Sequence, residues 1–383
     1  MQVYTPPMGW NSWNTFGENI NEEVVLKSAD TLVESGLLDC GYNYIVIDDC
    51  WALKSRDKNG KLVPDPKKFP HGMKYVSDYI HSKGLKFGMY SCAGTLTCAG
   101  YPASFEHEFD DAASFAEWGV DFLKYDFCFR PTTVPGDILY KRMALALKNC
   151  GRDILFSACS WGANNTKEWI GSTGANMWRT TGDIFENWKS IKDLSQKGLE
   201  NAKYGKINCF ADMDMLVVGM YGKGNVGFSG CTDTEYKTHF SLWALLNSPL
   251  MIGCDIQNMN DATKNILMNK EVIAINQDKD CNAPFRIKSA DNWDVDNPEY
   301  DIIAKFLSNG DIAIGVFNFS DQKPTAWDLN FTTEKLGLPE STGKTLLMKE
   351  LWTGEEIKVE NGCFLTDVEP HDCRLYRAKV VDK

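Results

Sequence analysis

The sequence predicts an α/β protein: a (β/α)8 barrel of the TIM type, followed by a C-terminal domain of antiparallel β-strands. Over about 285 residues, short apolar β-rich segments alternate with segments whose apolar residues recur every three to four positions. Acidic and aromatic side chains follow the ends of the β-rich segments, where a barrel has its mouth. Beyond Pro284 the helical spacing stops. A doubly wound parallel sheet is the alternative architecture.

Eight apolar segments are predicted as the barrel strands of a domain covering residues 1–285. In chain order they are Met8–Trp13, Tyr42–Trp51, Leu85–Ser91, Asp121–Cys128, Ile154–Ser160, Asn176–Gly182, Lys206–Asp214 and Pro249–Asp255. Segments with helical spacing lie between them, among them Glu22–Ser35, Gly72–Lys83, Phe109–Trp118 and Ile138–Asn149.

Residues 286–383 are predicted as the second, antiparallel β domain. Asn-Gly and Thr-Gly pairs, which favour tight turns, separate its short strand-like segments. The predicted strands are Tyr300–Leu307, Ile312–Phe319, Leu346–Leu351 and Phe364–Val368.

Composition excludes several classes of partner. The net charge is −12 and no long Lys/Arg cluster occurs, which argues against nucleic acid. The longest apolar run, Leu242 to Gly253, is interrupted by polar residues and Pro249, so no membrane span is expected. The first seven residues lack the basic and apolar regions of a secretory signal. We expect a cytoplasmic protein, although secretion is not excluded, and a homo-oligomer is compatible with the sequence.

The chain has 13 cysteines, scattered rather than spaced as a disulfide framework or as zinc ligands. Most, such as Cys40, Cys209 and Cys254, lie in apolar segments, where a free thiol behaves as a small hydrophobic group. This pattern favours a reducing compartment.

The fourth predicted strand ends with Lys124 and Asp126, two residues apart. Strand alternation places both side chains on one face, so we expect the lysine to hold the carboxylate ionised. A carboxylate held in this way can act as a nucleophile. A purely structural salt bridge at the strand end is the alternative.

The ends of the other predicted strands add more acids and aromatic residues. Carboxylates interleaved with tryptophan favour a sugar site, because the acids accept hydroxyl protons and an indole ring packs against a pyranose face. The 5 histidines all lie away from these strand ends, so neither a metal nor another cofactor is expected. The candidate residues at the mouth include Trp13, Asp48, Asp49, Tyr90, Lys124, Asp126, Ser160, Trp161, Arg179, Asp183 and Asp214.

An ordered set of motifs closely resembles the α-galactosidases (melibiases) of glycoside hydrolase family 27. The motifs are Gly9-Trp10-Asn11-Ser12-Trp13, Asp48-Asp49-Cys50-Trp51, Thr97-Cys98-Ala99-Gly100-Tyr101-Pro102, Lys124-Tyr125-Asp126 and Ile273-Ala274-Ile275-Asn276-Gln277-Asp278. The resemblance implies a retaining exo-glycosidase with a (β/α)8 barrel and a C-terminal β-sandwich. Its substrate would be a terminal α-linked D-galactose on an oligosaccharide or glycoconjugate, removed by double displacement.

The resemblance also implies roles for individual residues. Asp126 matches the family's nucleophile, and Asp183 matches its general acid/base. Asp48 and Asp49 match the pair that holds the 6- and 4-hydroxyls, Lys124 lies beside the 3- and 4-hydroxyls, and Arg179 lies near the 2-position. Trp13, Tyr90 and Asp214 match other pocket positions.

The sequence departs from the family pattern at its cysteines. Glu18 and Ala175 stand where secreted members have the cysteine partners of Cys50 and Cys159, so Cys98 and Cys128 are the pair that keeps both halves of a family disulfide. This supports the cytoplasmic expectation, and the sequons at Asn164, Asn318 and Asn330 are then expected to be incidental.

The run Cys159-Ser160-Trp161-Gly162-Ala163 resembles the α-N-acetylgalactosaminidases of the same family. Ser160 would bond an acetamide carbonyl and Ala163 would meet its methyl group, so we expect α-N-acetylgalactosaminides to be cleaved as well, with a primary N-acetylgalactosaminidase as the alternative. The competing interpretation is that the loop runs differently after Gly162 and that Asn164 or Asn165 fills the space.

Two other functional classes are compatible with single features of the chain. A lysine at a strand end could form a Schiff base, although neighbouring carboxylates would keep Lys124 protonated. A non-catalytic sugar-binding protein is the other alternative, and the presence of both Asp126 and Asp183 argues against it.

Overall fold

The computed structural model describes residues 2–290, 299–325 and 328–383. Its first part alternates short strands and helices. The strands are β1 Met8–Asn11, β2 Tyr44–Val46, β3 Lys86–Cys92, β4 Phe122–Asp126, β5 Leu155–Ala158, β6 Met177–Arg179, β7 Phe210–Asp212 and β8 Leu250–Ile252. The α-helices are α1 Trp13–Phe16, α2 Glu22–Glu34, α3 Gly72–Ser82, α4 Glu108–Trp118, α5 Gly136–Asn149, α6 Thr166–Trp169, α7 Trp188–Asn201, α8 Asp233–Leu245, α9 Asp261–Leu267 and α10 Lys270–Asn276.

Strands β1 to β8 form one parallel sheet in the order β7-β6-β5-β4-β3-β2-β1-β8. The two ends of this order meet just beyond β7, where Leu216 N donates to Met251 O at 2.8 Å and Gly253 N donates to Leu216 O at 2.9 Å. The predicted (β/α)8 barrel is therefore confirmed, and the doubly wound sheet is wrong. Most of the predicted strands are longer than the observed ones, because they included loop residues, such as Asp48 and Asp49 after β2, that lie beyond the hydrogen-bonded strand.

Local sequence explains how several helices start. Asn21 accepts a hydrogen bond from Val24 N at the start of α2. Thr232 and Glu235 form a capping box at the start of α8. Helix α8 is buried on nearly every side, because it lies between the barrel and strands β11 Ile312–Asn318 and β16 Cys373–Asp382 of the second domain.

The other strands of the second domain are β9 Phe285–Ser289, β10 Tyr300–Phe306, β12 Asn330–Thr332, β13 Lys344–Glu350, β14 Glu356–Lys358 and β15 Cys363–Leu365. They form, with β11 and β16, a six-stranded antiparallel sheet in the order β14-β13-β16-β11-β10-β9 and a two-stranded sheet, β12-β15. The four predicted strands are present, and β9, β12, β14 and β16 were missed. Strand β9 begins at Phe285, next to the predicted domain boundary between residues 285 and 286. The boundary itself stays a prediction. Parts of the predicted second domain, residues 291–298 and 326–327, lie outside the described residues.

One face of the C-terminal sheet packs on the apolar core of the barrel, whereas the other face has an apolar cluster of its own, which includes Ile302 and Leu346. Ile303, Phe317 and Leu375 of the sheet belong to the same buried cluster as the barrel residues. Among the described residues, none of the second domain lines the pocket at the barrel mouth. The sheet thus supports the outer helices, and the site is built by the barrel alone. Within the described part of the chain, no helix has the length and apolar character needed to cross a bilayer.

Candidate active site

A pocket of about 170 Å³ opens at the C-terminal ends of the barrel strands. The loops after the first seven strands each contribute to its wall. Ten of the predicted site residues line it: Trp13, Asp48, Asp49, Tyr90, Lys124, Asp126, Trp161, Arg179, Asp183 and Asp214. A pocket of this size suits one small polar ring rather than a long chain.

The pairing of β3 with β4 builds the centre of the pocket. The register places Tyr90 opposite Lys124 and Cys92 opposite Asp126. The Tyr90 hydroxyl donates to Asp126 Oδ2 at 3.2 Å, and Phe127 N donates to Asp126 Oδ1 at 2.9 Å. The Asp126 carboxylate is thus held in one orientation and faces the pocket.

Lys124 bonds a different carboxylate from the one that the sequence suggested. Its Nζ lies 2.7 Å from Asp48 Oδ2, which also accepts from Asn11 Nδ2 at 2.8 Å. Burial alone would lower the pKa of Lys124, but Asp48, Cys159 and Asp126 together outweigh it and the pKa is raised. The salt bridge that was the alternative interpretation of this strand end forms with Asp48 instead of Asp126, because the loop after β2 brings Asp48 closer to the ammonium group.

The electrostatic state of Asp126 follows from its burial. Desolvation raises its pKa to about 6, while Lys124 and the Phe127 amide act in the opposite direction. The expectation that Lys124 dominates the ionisation of Asp126 is corrected accordingly. Asp126 is still ionised at neutral pH, and its carboxylate is poorly solvated, which favours attack on an electrophilic carbon.

A second carboxylate enters the pocket from the loop after β6. Asp183 Oδ1 accepts from Arg179 Nη2 at 2.9 Å, and Arg179 Nη1 lies 3.0 Å from Asp214 Oδ1. Asp183 is 61% exposed, whereas Arg179 is buried. Burial raises the pKa of Asp183, but Arg179 and Lys124 outweigh it and the pKa is lowered. The pocket therefore contains one carboxylate that is fixed in place, Asp126, and one that solvent can reach and that can exchange protons, Asp183.

Two residues that were predicted to contact the substrate, Ser160 and Ala163, do not line this pocket. Ser160 is 0% exposed, and its hydroxyl bonds Thr166 Oγ1 at 2.7 Å. Neither Ser160 nor Ala163 lines the pocket, whereas Trp161 does. The expected acetamide contacts are corrected, because the chain turns at Trp161 and Gly162, both with positive φ, and directs Ser160 inward. No observation favours an N-acetylgalactosamine pocket.

Sequence reasoning missed three pocket residues. Asn14, Met215 and Val226 line the wall. Asn14 and Met215 directly follow the predicted site residues Trp13 and Asp214, so adjacency could have found them. Val226 lies far from any strand end, and the hydrogen bond from its amide to Asn14 O at 3.2 Å holds its loop next to Asn14. The glycine-rich run around it was the one signal in the sequence.

The pocket wall also contains sulfur. Cys98 and Cys128 form a disulfide and line the pocket, and the Tyr90 hydroxyl oxygen lies 3.4 Å from Cys98 Sγ. These two sulfurs and Asp126 lie close enough together to hold a metal ion, but disulfide sulfurs are not thiolate ligands. The donor set therefore does not fit a metal.

Comparisons with known proteins point to one family. A family model described as Alpha galactosidase A matches residues 5–278, and a model of the alpha galactosidase C-terminal beta sandwich domain matches residues 297–378. The rice Alpha-galactosidase (Oryza sativa subsp. japonica) is 41% identical over 375 residues, which cover 97% of this chain and 84% of that protein. Alpha-galactosidase 3 of Arabidopsis thaliana is 42% identical over 378 residues, 97% of this chain and 81% of that protein. The crystal structure of alpha-galactosidase I from Mortierella vinacea superimposes with a TM-score of 0.90 at 33% identity, covering 98% of this chain and 97% of that one.

Proposed function

The chain belongs to the alpha-galactosidase family, and on this premise we propose that it is a retaining, exo-acting α-galactosidase. The observation that carries the proposal is the placement of Asp126 and Asp183 in one pocket, next to the cations Lys124 and Arg179. The substrate is an oligosaccharide or glycoconjugate with a terminal α-linked D-galactose.

The proposed reaction has two displacements. Asp126 attacks the anomeric carbon while Asp183 donates a proton to the leaving oxygen, which gives a β-galactosyl ester and the free alcohol. Asp183, now ionised, takes a proton from water, which attacks the same carbon and releases α-galactose and the Asp126 carboxylate. The charges balance at each step, and the configuration is retained.

The remaining pocket residues hold the sugar. Asp48, Asp49 and Lys124 are proposed to bind the 6-, 4- and 3-hydroxyls, and Arg179 the region of the 2-hydroxyl. Asp49 is oriented for this by Ala99 N at 2.9 Å and Cys50 N at 2.7 Å. Trp13, Tyr90, Trp161 and Asp214 complete the proposed binding wall.

A Schiff-base reaction has less support. Lys124 is bonded to Asp48 and its pKa is raised, so the ammonium form predominates and cannot attack a carbonyl. A non-catalytic sugar-binding role leaves the second carboxylate, Asp183, without a purpose in the pocket.

A reducing compartment is proposed for the working protein, and specifically the cytoplasm. Eleven cysteines are free among the described residues, and nine of them are buried. Both Cys50 and Cys159 belong to this group, which supports the proposal. Buried free thiols are tolerated where oxidants are scarce.

The decisive experiment is turnover of 4-nitrophenyl α-D-galactopyranoside, followed by NMR of the first-formed sugar. We expect release of α-galactose, whereas the β-galactoside and the α-glucoside, which differ at one carbon each, should be poor substrates. Absence of turnover overturns the proposal. First formation of β-galactose overturns the retaining mechanism.

A further inference from the structure

Two loops at the pocket mouth carry the same pattern. The loop after β6 places Asp183 in the pocket wall and Phe185 two residues later. The loop between β7 and α8 places Val226 in the wall and Phe228 two residues later. The loops are joined by a parallel bridge in which Glu186 N donates to Val226 O at 3.1 Å. Each phenylalanine therefore lies just outside the pocket, on the side of Asp183.

The two rings are paired with each other and open to solvent. Their centroids lie 5.2 Å apart at an interplanar angle of 76°. Phe185 is 44% and Phe228 66% exposed. Large aromatic side chains left exposed together at the rim of a polar pocket are unfavourable in water unless a ligand covers them, so they indicate a binding surface.

The pair is held rigidly from below. Glu186 is fully buried, and its carboxylate accepts from Gly222 N at 2.7 Å and from the Tyr236 hydroxyl. One carboxylate thus ties the loop of Phe185 to the loop of Phe228 and to helix α8. Because the aromatic pair is already ordered before a ligand binds, little conformational entropy is lost on binding.

We propose that Phe185 and Phe228 form the binding site for the leaving-group sugar, a pyranose ring that packs its apolar C–H face on the aromatic pair. The inference rests on the proposed function and extends it to substrate choice. Asp183 protonates the oxygen that leaves, so the leaving group must extend past Asp183, where the aromatic pair lies. The enzyme then selects galactosides whose aglycone is itself a sugar ring.

The test compares two substrates with alcohol leaving groups of similar acidity. One is the disaccharide of α-1,6-linked galactose and glucose, and the other is methyl α-D-galactopyranoside, whose aglycone has no ring. The variants are Phe185→Ala, Phe228→Ala and the double variant. Phe109→Ala serves as the matched control, because Phe109 is an exposed phenylalanine on α4, outside the site.

Each single variant should lower kcat/KM for the disaccharide about three- to tenfold, which is the value of one aromatic contact. For the methyl galactoside the change should stay below about twofold, and galactose should inhibit all variants equally because the pocket is intact. Phe228→Trp should keep disaccharide activity, since it keeps an aromatic face. Phe109→Ala should behave as wild type on both substrates.

Equal losses on both substrates would overturn the proposal, because the rings would then only position the pocket. Unchanged disaccharide kinetics in the double variant would also overturn it, since a ring that binds the aglycone cannot be removed without effect. Failure of the proposed function is distinguishable, because the wild type would then cleave neither substrate.

Discussion

At the residue scale, the two pocket carboxylates have opposite pKa shifts. Burial raises the pKa of Asp126 to about 6, whereas Arg179 and Lys124 hold the pKa of Asp183 below its usual range against the effect of burial. Double displacement needs the first ionised and the second protonated. When the pair holds one proton in the free enzyme, that proton therefore lies mostly on Asp126. The reactive form, with the proton on Asp183, is the minor one.

Substitution of each carboxylate should stop the reaction at a different step. Asp126→Ala should reduce turnover of every α-galactoside by about 10⁴-fold or more, since no nucleophile remains. Asp183→Ala should still form the galactosyl ester from a dinitrophenyl galactoside, which needs little protonation, and then accumulate it. Rapid-quench kinetics would show this as a burst.

Azide provides the control for these two variants. With Asp183→Ala, azide should attack the galactosyl ester and restore turnover with α-galactosyl azide as product. With Asp126→Ala, it can only attack the substrate directly and would give the β-azide. Near-normal turnover by Asp126→Ala would contradict the assignment of the nucleophile.

The pH dependence of kcat/KM should have its alkaline limb near pH 6. As the pH rises through the pKa of Asp126, about 6, the singly protonated pair loses its last proton and no acid remains for the leaving group. As the pH falls through the lowered pKa of Asp183, the doubly protonated pair forms and the nucleophile is lost. The maximum should therefore lie below pH 6. A profile that stays flat from about pH 5 to 8 would show that this pair does not control the reaction.

At the element scale, the loop after β5 decides which side chain meets the sugar. Trp161, Gly162, Asn164 and Asn165 have φ values of 57°, 75°, 55° and 54°. Non-glycine residues adopt this region at a cost, so the surrounding contacts must stabilise the loop. One such contact is the hydrogen bond from Gly162 N to Arg179 O at 3.1 Å. The tight turn brings Trp161 to the pocket and buries Ser160.

Gly162→Ala should therefore destabilise the protein more than Gly60→Ala does. Both glycines have positive φ, 75° and 79°, but a Cβ at Gly162 would lie 2.4 Å from Thr180 O, whereas a Cβ at Gly60 has no neighbour within 4 Å. We expect a loss in the free energy of unfolding of about 1 kcal/mol for Gly60→Ala and about 2–4 kcal/mol for Gly162→Ala.

Chemical denaturation of both variants measures this difference. The Gly162 variant should also lose kcat/KM on the galactoside, because Trp161 and Arg179 adjoin the displaced turn. Equal destabilisation of the two variants would mean that the loop yields to the added methyl group and does not define the pocket.

At the scale of the whole molecule, one face of the C-terminal sheet packs on the core of the barrel. Helix α8 joins them: Trp243 Nε1 donates to Asp214 O at 2.7 Å beneath the pocket, while Ser241 Oγ accepts from Trp352 Nε1 at 3.0 Å in the second domain. The free cysteines are distributed through both domains, mostly at buried positions. The number of free thiols therefore reports on both domains of the protein.

Thiol titration of the denatured, unreduced protein should count eleven thiols, the thirteen cysteines less the Cys98–Cys128 pair. Reductant should lower the free energy of unfolding by no more than one disulfide contributes, about 2–4 kcal/mol. A count of seven or fewer would contradict the proposal of a reducing compartment, because further disulfides would then have formed.

The sequence by itself determined the barrel and most of the pocket. The alternation of apolar segments with helical spacing predicts the fold, and Asp126, Asp183 and Arg179 could be located because barrel mouths collect the residues that follow each strand. The strand and helix pattern and the residues at the strand ends can be predicted because they depend on residues that are close together in the sequence. Central strand β16 was missed because charges at Arg374, Arg377 and Lys379 interrupt its apolar pattern.

Only the tertiary structure decided which groups touch. Alternation tells which face Lys124 occupies, but not that Asp48 of another loop comes within 2.7 Å of it. The direction of the Ser160 side chain depends on the backbone angles of the residues that follow it. Val226 and the aromatic pair Phe185–Phe228 are placed at the pocket mouth by the β-bridge between their two loops. Such contacts join residues far apart in the chain, and their geometry is set by packing, which residue type and spacing do not encode.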